Sequence, residues 1–141
     1  MPTFNANAEW KGNLKEGNGQ MEFGSGAFKG EFTFKTRFEG GEGTSPEELI
    51  GAAHSGCFSM AFSNELAKAG FEPTSVNTTA EVHLTMDDGP NISKIVLTCD
   101  AVVPEISDDK FQEIAEGAKK GCPVSKALGG VGTIELNATL K

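Results

Sequence analysis

Three thiols and one guanidinium are the groups of this 141-residue chain best suited to covalent chemistry. Cys57 lies at the centre of the stretch AAHSGCFSMAF, residues 52–62. A thiol attacks only as the thiolate, and a cysteine in the middle of a helix gains nothing from a helix end, so Cys57 needs a separate cation. Cys122 sits in GCPVSKAL, directly before Pro123 and so at or near a helix N-cap. Unpaired backbone N–H groups and the helix dipole favour a thiolate there, and Lys119 and Lys120 add positive charge nearby. On local chemistry Cys122 is the more activated thiol; the plain alternative is a cap position that happens to hold Cys, a weak capping residue. Cys99 falls on the apolar parity of a strand and reads as a buried structural thiol.

The cation can be found by counting. Twelve residues are Lys or Arg, and Arg37 is the single arginine among them. A guanidinium is an always-charged planar fork that can hold a carboxylate bidentately while pointing another N–H at a thiolate. Metal chemistry is a weaker reading. His54 lies one turn before Cys57, and an H-x-x-C pair could ligate zinc. The second histidine, His83, is on the polar parity of its strand, so a full ligand set would require Cys99 to leave the core. No metal and no cofactor are expected.

These groups must be held by elements that the pattern predicts. In the first forty residues Phe4, Ala6, Ala8 and Trp10 alternate with polar residues, and Phe28, Phe32, Phe34 and Phe38 share one parity, so this part reads as strands with Arg37 off the apolar face. GNGQ at 17–20 is turn chemistry. A helix should start at Ser45 with Pro46 at its first position and Glu48 closing a capping box, run to about Lys68 and end at Gly70. Its centre of Ala, Ser and Gly suits close approach by another helix. Residues 76–103 read as a hairpin turning at DDGPN, with Val76, Thr78, Ala80, Val82, Leu84 and Met86 on one face and Ile95, Leu97, Cys99, Ala101 and Val103 on the other strand's face. Ser107 then caps a helix carrying Phe111, Ile114, Ala115 and Ala118, a short helix follows in GCPVSKAL, and a last strand carries Ile134, Leu136, Ala138 and Leu140. Grouped strands and helices make the class α+β.

The length suits one domain spanning residues 1–141. A net charge of −8 argues against nucleic acid and against an anionic membrane surface. The chain starts without a signal-peptide pattern and has no run long enough to span a bilayer. Three cysteines leave one over, which does not make a disulfide framework; a cytoplasmic protein with functional or buried thiols is the expectation.

TRFEGGEGTSPEELIGAAHSGCFSMAF followed much later by GCPVSKAL resembles the OsmC/Ohr family, with the AAH form similar to the OsmC branch. The order of elements along the whole chain fits as well. The resemblance implies an intertwined homodimer with central cysteine-bearing helices flanked by antiparallel sheets. It implies a thiol-dependent peroxidase that reduces organic hydroperoxides, with Cys57 as the peroxidatic thiol, Cys122 as its resolving partner in a disulfide, and Arg37 and Glu47 as the activating pair. A dithiol donor, of lipoyl type for example, would restore the thiols. Cys99 matches no motif cysteine. A non-enzymatic ligand-binding or stress protein on the same fold is the rival reading.

One geometric question follows from that set. Glu47 and Cys57 are ten residues apart in one expected helix, or roughly 15 Å along its axis at 1.5 Å per residue. Either the helix breaks, with Gly51 the first candidate, or Glu47 serves the Cys57 of a second chain. The small-residue face and the implied dimer favour the second.

Overall fold

The computed structural model describes all 141 residues, which form two compact units, Met1–Leu49 and Ile50–Lys141. In the first, β1 (Ala6–Lys11), β2 (Asn18–Phe23) and β3 (Lys29–Phe32) make an antiparallel sheet in the order β1-β2-β3. Trp10 stacks on Phe32 with ring centroids 5.3 Å apart, directly over Gly19. A Cβ at Gly19 would lie 2.7 Å from Trp10 and 2.8 Å from Phe32, so only glycine lets the rings close over the strand. No apolar side chain of this unit is fully buried, and Phe4 is 88% exposed. The alternation in β1 therefore marks a face that this unit leaves largely uncovered.

Two sequence expectations are corrected here. GNGQ is not the first turn: Asn18, Gly19 and Gln20 already pair with β1, and the reversal lies just before them, around residues 12–17. The strand expected through Phe38 stops at Phe32, and Phe34–Phe38 forms a short helix, α1. Thr33 is the reason. Its hydroxyl accepts from the Thr36 N–H while the Thr36 hydroxyl accepts from the Thr33 N–H, a reciprocal capping box that starts a helix. Phe34 and Phe38 share a parity, but they are also four apart, and their rings meet at 4.8 Å on one helix face.

Helix α2 is unbroken from Pro46 to Lys68. The Ser45 hydroxyl accepts from the Glu48 N–H at 3.0 Å, as expected of the cap. The return half of the box is replaced: the Glu48 carboxylate takes the Thr44 hydroxyl at 2.7 Å. Gly70, at φ +93°, reverses the chain after the helix, and the Phe71 N–H reaches back to the Leu66 carbonyl.

The second unit holds the whole apolar core. β4 (Ser75–Thr85), β5 (Asn91–Val102) and β6 (Thr133–Leu140) form a sheet in the order β4-β5-β6, with β5 antiparallel to β4 and parallel to β6. As the central strand, β5 buries Ile95, Val96 and Leu97 in succession. Helix α3 (Asp108–Gly121) is capped by the Ser107 hydroxyl and buries Phe111, Ala115 and Ala118. Pro123–Ala127 is the short helix α4. From α2, Phe58, Phe62 and Leu66 enter the core, and Phe62 meets Phe111 edge-on at 5.2 Å. Met86, expected on the apolar face of β4, lies beyond the strand's end and is exposed.

Truncating Phe62 removes a fully buried ring that touches both Phe58 and Phe111. Phe62→Ala is expected to lower the unfolding free energy by about 3–5 kcal/mol, read from urea denaturation followed by circular dichroism. A loss below 1 kcal/mol would mean the ring is not a core anchor.

Candidate functional site

The successive buried positions of α2 are Glu47, Gly51, His54, Phe58, Phe62 and Leu66. They recur every three or four residues, so they form one stripe along the helix. From Gly51 onward the stripe belongs to the second unit, and there β4 runs close: an added Cβ at Gly51 would lie 3.5 Å from both the Ala80 carbonyl and Val82. Cys57 sits beside this stripe and is half-buried, while Ala52, Ala53 and Gly56 are exposed.

Cys122 is the hinge between two helices. Its N–H closes the last turn of α3 on the Ala118 carbonyl at 2.9 Å, and its own carbonyl starts α4 by accepting from Lys126. Pro123 forbids a continuous helix and holds Cys122 extended at φ −59°, ψ 123°. The result brings Cys122 Sγ to 3.0 Å from Cys57 Sγ, with Cys122 fully buried. Both cysteines are reduced, as is Cys99.

The two sulfurs share their protons unequally. Burial pushes the Cys57 thiol up, and the Cys122 sulfur adds to the rise against an opposing backbone contact from Val124. At Cys122 burial also works upward. There it is outweighed by the nearby polar groups of Cys57, Ser125 and Val124, which set this thiol below its ordinary range. The directions of the two shifts favour ionisation of Cys122 over Cys57 within a single chain. The reason is narrower than the local reading of the sequence. Lys119 does not face the thiol; its ammonium binds Glu116 at 2.8 Å and the Ile134 carbonyl at 3.3 Å.

His54 is completely buried and does not pair with Cys57. Its Nε2 lies 2.7 Å from Ser125 Oγ, and its Nδ1 has no partner. Burial lowers its pKa and keeps the imidazole neutral. The H-x-x-C pair of the weaker zinc reading is not formed: the imidazole is turned to Ser125. Ser125 is the residue that the sequence reading missed. The available signal was its position three residues after an N-cap cysteine, where a side chain of the first turn faces the cap. Cys99 behaves as expected: burial raises its pKa, and it packs on β5 beside Thr78, whose hydroxyl accepts from Ser59 at 2.8 Å.

Arg37 and Glu47 are brought together in the first unit. Arg37 stands on α1, 38% exposed, while the Glu47 side chain is only 8% exposed at the start of α2. The contact is not the expected two-oxygen fork. Arg37 Nε and Nη2 converge on one oxygen, Oε1, at 3.0 and 2.9 Å, and Oε2 is buried without a partner. A cleft of about 650 Å³ opens beside Cys57, lined by Met60, Ala61, Gly117, Ala118 and Pro123 among others.

The fold and the paired sulfurs define an α+β protein built around a dithiol centre. The chain belongs to the OsmC-like protein family, whose pattern matches residues 39–137. It is 50% identical over 123 residues to "Peroxiredoxin OsmC" of Escherichia coli K12, covering 86% of each chain. It is 29% identical over 101 residues to "Organic hydroperoxide resistance protein-like 2" of Staphylococcus epidermidis, covering 72% of this chain and 71% of that one. In fold it is similar to an organic hydroperoxide resistance protein from Elizabethkingia anophelis, with a TM-score of 0.79, 23% identity, and coverage of 100% and 98%.

A shared proton between sulfurs at 3.0 Å has a titration signature. The pair should lose its first proton below the ordinary thiol range and its second above it, because the first thiolate repels the next. Ultraviolet thiolate absorbance of the reduced Cys99→Ala protein against pH should show two separated steps. A single step at the ordinary thiol pKa would mean the sulfurs do not interact.

Proposed function

We propose that this protein is a thiol-dependent peroxidase that reduces organic hydroperoxides to alcohols through Cys57 and Cys122. The observation that carries the reading is the 3.0 Å approach of the two sulfurs. In this reading Cys57 Sγ attacks the terminal oxygen of the hydroperoxide, forming an S–O bond and breaking the O–O bond. Cys122, the thiol of the pair whose pKa is lowered, takes the Cys57 proton and passes it to the leaving alkoxide. Cys122 then attacks the Cys57 sulfenic acid: an S–S bond forms, the S–O bond breaks, and hydroxide leaves as water after gaining a proton from solvent. A dithiol donor, of lipoyl type for example, supplies two electrons by exchange and restores both thiols. The names of the Escherichia coli and Staphylococcus epidermidis relatives support peroxide chemistry. The apolar lining of the cleft at Cys57 supports an organic group on the peroxide. No metal or cofactor takes part. No helix is long and apolar enough to cross a membrane, and we assign the work to the cytoplasm.

The same reading takes the working form as a homodimer in which both units of each chain act as one domain. Helix α2 is continuous, so Glu47 and Cys57 of one chain stand roughly 15 Å apart along it. A glutamate side chain does not span that distance. Arg37, oriented by Glu47, therefore serves the Cys57 of a second chain, where its positive charge stabilises the attacking sulfur as the thiolate. The uncovered α2 face with Ala52, Ala53 and Gly56, the 76% exposed Met60 and the uncovered Phe4 all favour burial by a second copy.

Turnover of cumene hydroperoxide against hydrogen peroxide, with a dihydrolipoyl donor, tests the activity. Cys57→Ser is expected to abolish consumption. Cys122→Ser should consume about one peroxide per chain and then over-oxidise, since nothing resolves the sulfenic acid. If the Cys57 variant reacted once and the Cys122 variant were inert, the two roles would be exchanged.

The shared site has a complementation test. Glu47→Ala chains are refolded together with Cys57→Ser chains. Each mixed dimer regains one intact set, with Cys57 from the first chain and Glu47 from the second, so activity should exceed the sum of the parents. Mixed dimers as inactive as the parents would place the whole set within one chain.

A further inference from the structure

His54 is a fully buried imidazole to which the peroxidase reading gives no task. Its Nε2 is 2.7 Å from Oγ of the buried Ser125, and Nδ1 has no partner. A proton on Nδ1 would leave a buried N–H donor unsatisfied, which is rarer and more costly than an unfilled acceptor. The proton therefore sits on Nε2, which donates to Ser125 Oγ. His54 and Cys57 are three apart on α2, so their side chains are neighbours on one face. Cys122 and Ser125 have the same spacing, from the N-cap of α4 into its first turn. The pairing is crossed: His54 meets Ser125, and Cys57 meets Cys122 at 3.0 Å. The polar bond and the sulfur pair are thus two successive rungs between the same two segments. Helix α4 is five residues long, too short to be stable by itself. Val124 packs against the core, but apolar contact is non-directional and does not fix a helix's position. The one side-chain hydrogen bond from α4 to another element is that of Ser125 to His54.

We propose that His54 is a positioning residue: its hydrogen bond to Ser125 clamps the start of α4 against α2 and so keeps Cys122 within reach of Cys57 for disulfide closure. The proposal rests on the reading of Cys122 as the resolving thiol. In the step it serves, Cys122 loses its proton to solvent and its sulfur forms the S–S bond with the oxidised Cys57. The Cys57 S–O bond breaks, and the departing hydroxide takes a proton back from solvent. His54 transfers no proton in this step. While the sulfurs are unbonded, the clamp limits how far α4 can swing, which removes entropy that closure would otherwise have to overcome. Once the S–S bond is made, it holds α4 by itself. Loss of the clamp therefore frees the dithiol form more than the disulfide form and makes the disulfide less favourable.

The reduction potential of the Cys57–Cys122 pair reads the clamp. It is measured in a Cys99→Ala protein equilibrated with reduced and oxidised dithiothreitol, after which free thiols are trapped and counted. His54→Leu and Ser125→Ala should each make closure about tenfold less favourable, a shift of about 30 mV towards less negative potential. The two together should do no more than either alone, because they remove the same bond. His54→Gln, whose amide N–H replaces the Nε2 donor, should stay near the parent. If His54→Leu does not fold, Ser125→Ala, the smaller change, carries the test. A residue that only stabilises the fold supports the oxidised and reduced forms alike and leaves the potential unmoved. An unchanged potential therefore overturns the proposal, as do a Gln variant that behaves like Leu and losses that add in the double variant. After one equivalent of cumene hydroperoxide, His54→Leu should close the disulfide about tenfold more slowly while the first attack on peroxide keeps its rate. A parent protein that consumes no peroxide would sink the peroxidase reading, and the potential would still judge His54.

Discussion

The edge-on contact of Phe62 with Phe111 joins α2 to α3, and the rest of the dithiol centre depends on that joint. Phe62 is one turn beyond Cys57 on α2, and Phe111 lies in the first turn of the helix that ends at Cys122. Both rings are fully buried among Phe58, Leu66, Ile95 and Leu97. The apolar contact fixes how the two helices pass each other, because a close-packed core has few alternative arrangements. Two sulfurs 65 residues apart are thereby brought within 3.0 Å without a covalent bond between them. Core packing here is what gives the site its geometry.

Around that joint the polar groups do two distinct jobs. His54 and Ser125 tie α2 to α4 through a buried hydrogen bond of 2.7 Å. Arg37 and Glu47 form a separate ion pair in the first unit, with the charge carried on a short capped helix and the carboxylate held at the base of α2. The guanidinium uses only Nε and one Nη on a single carboxylate oxygen, so further N–H groups of the fork are not spent on Glu47. The buried, unpartnered second oxygen of Glu47 is an acceptor left open beside it.

Much of the frame was legible because it is written in local signals. The Pro46–Lys68 helix follows from Ser45, Pro46 and Gly70, and the hairpin at residues 87–90 from turn residues between two alternating runs. Residues 34–38 were misread because Phe34 and Phe38 satisfy a period of two and a spacing of four equally well. Thr33 and Thr36 decided between them by capping a helix. Ser125 was passed over because its place three residues after Cys122 does not name its partner, His54, which is 71 positions away in the chain.

The sequence by itself determined which residues could do chemistry: a lone arginine among lysines, a thiol in a small-residue helix, and a second thiol before a helix-starting proline. These are facts of residue type and neighbour, carried by backbone preferences that act over a few positions. Only the tertiary structure decided that the two thiols meet at 3.0 Å. It also decided that His54 turns to a serine rather than to Cys57, and that α2 runs through Gly51 without a break. Those outcomes depend on contacts between distant segments and on the burial that strengthens or penalises each charge. Neither quantity exists until the core has closed around Phe62 and Phe111.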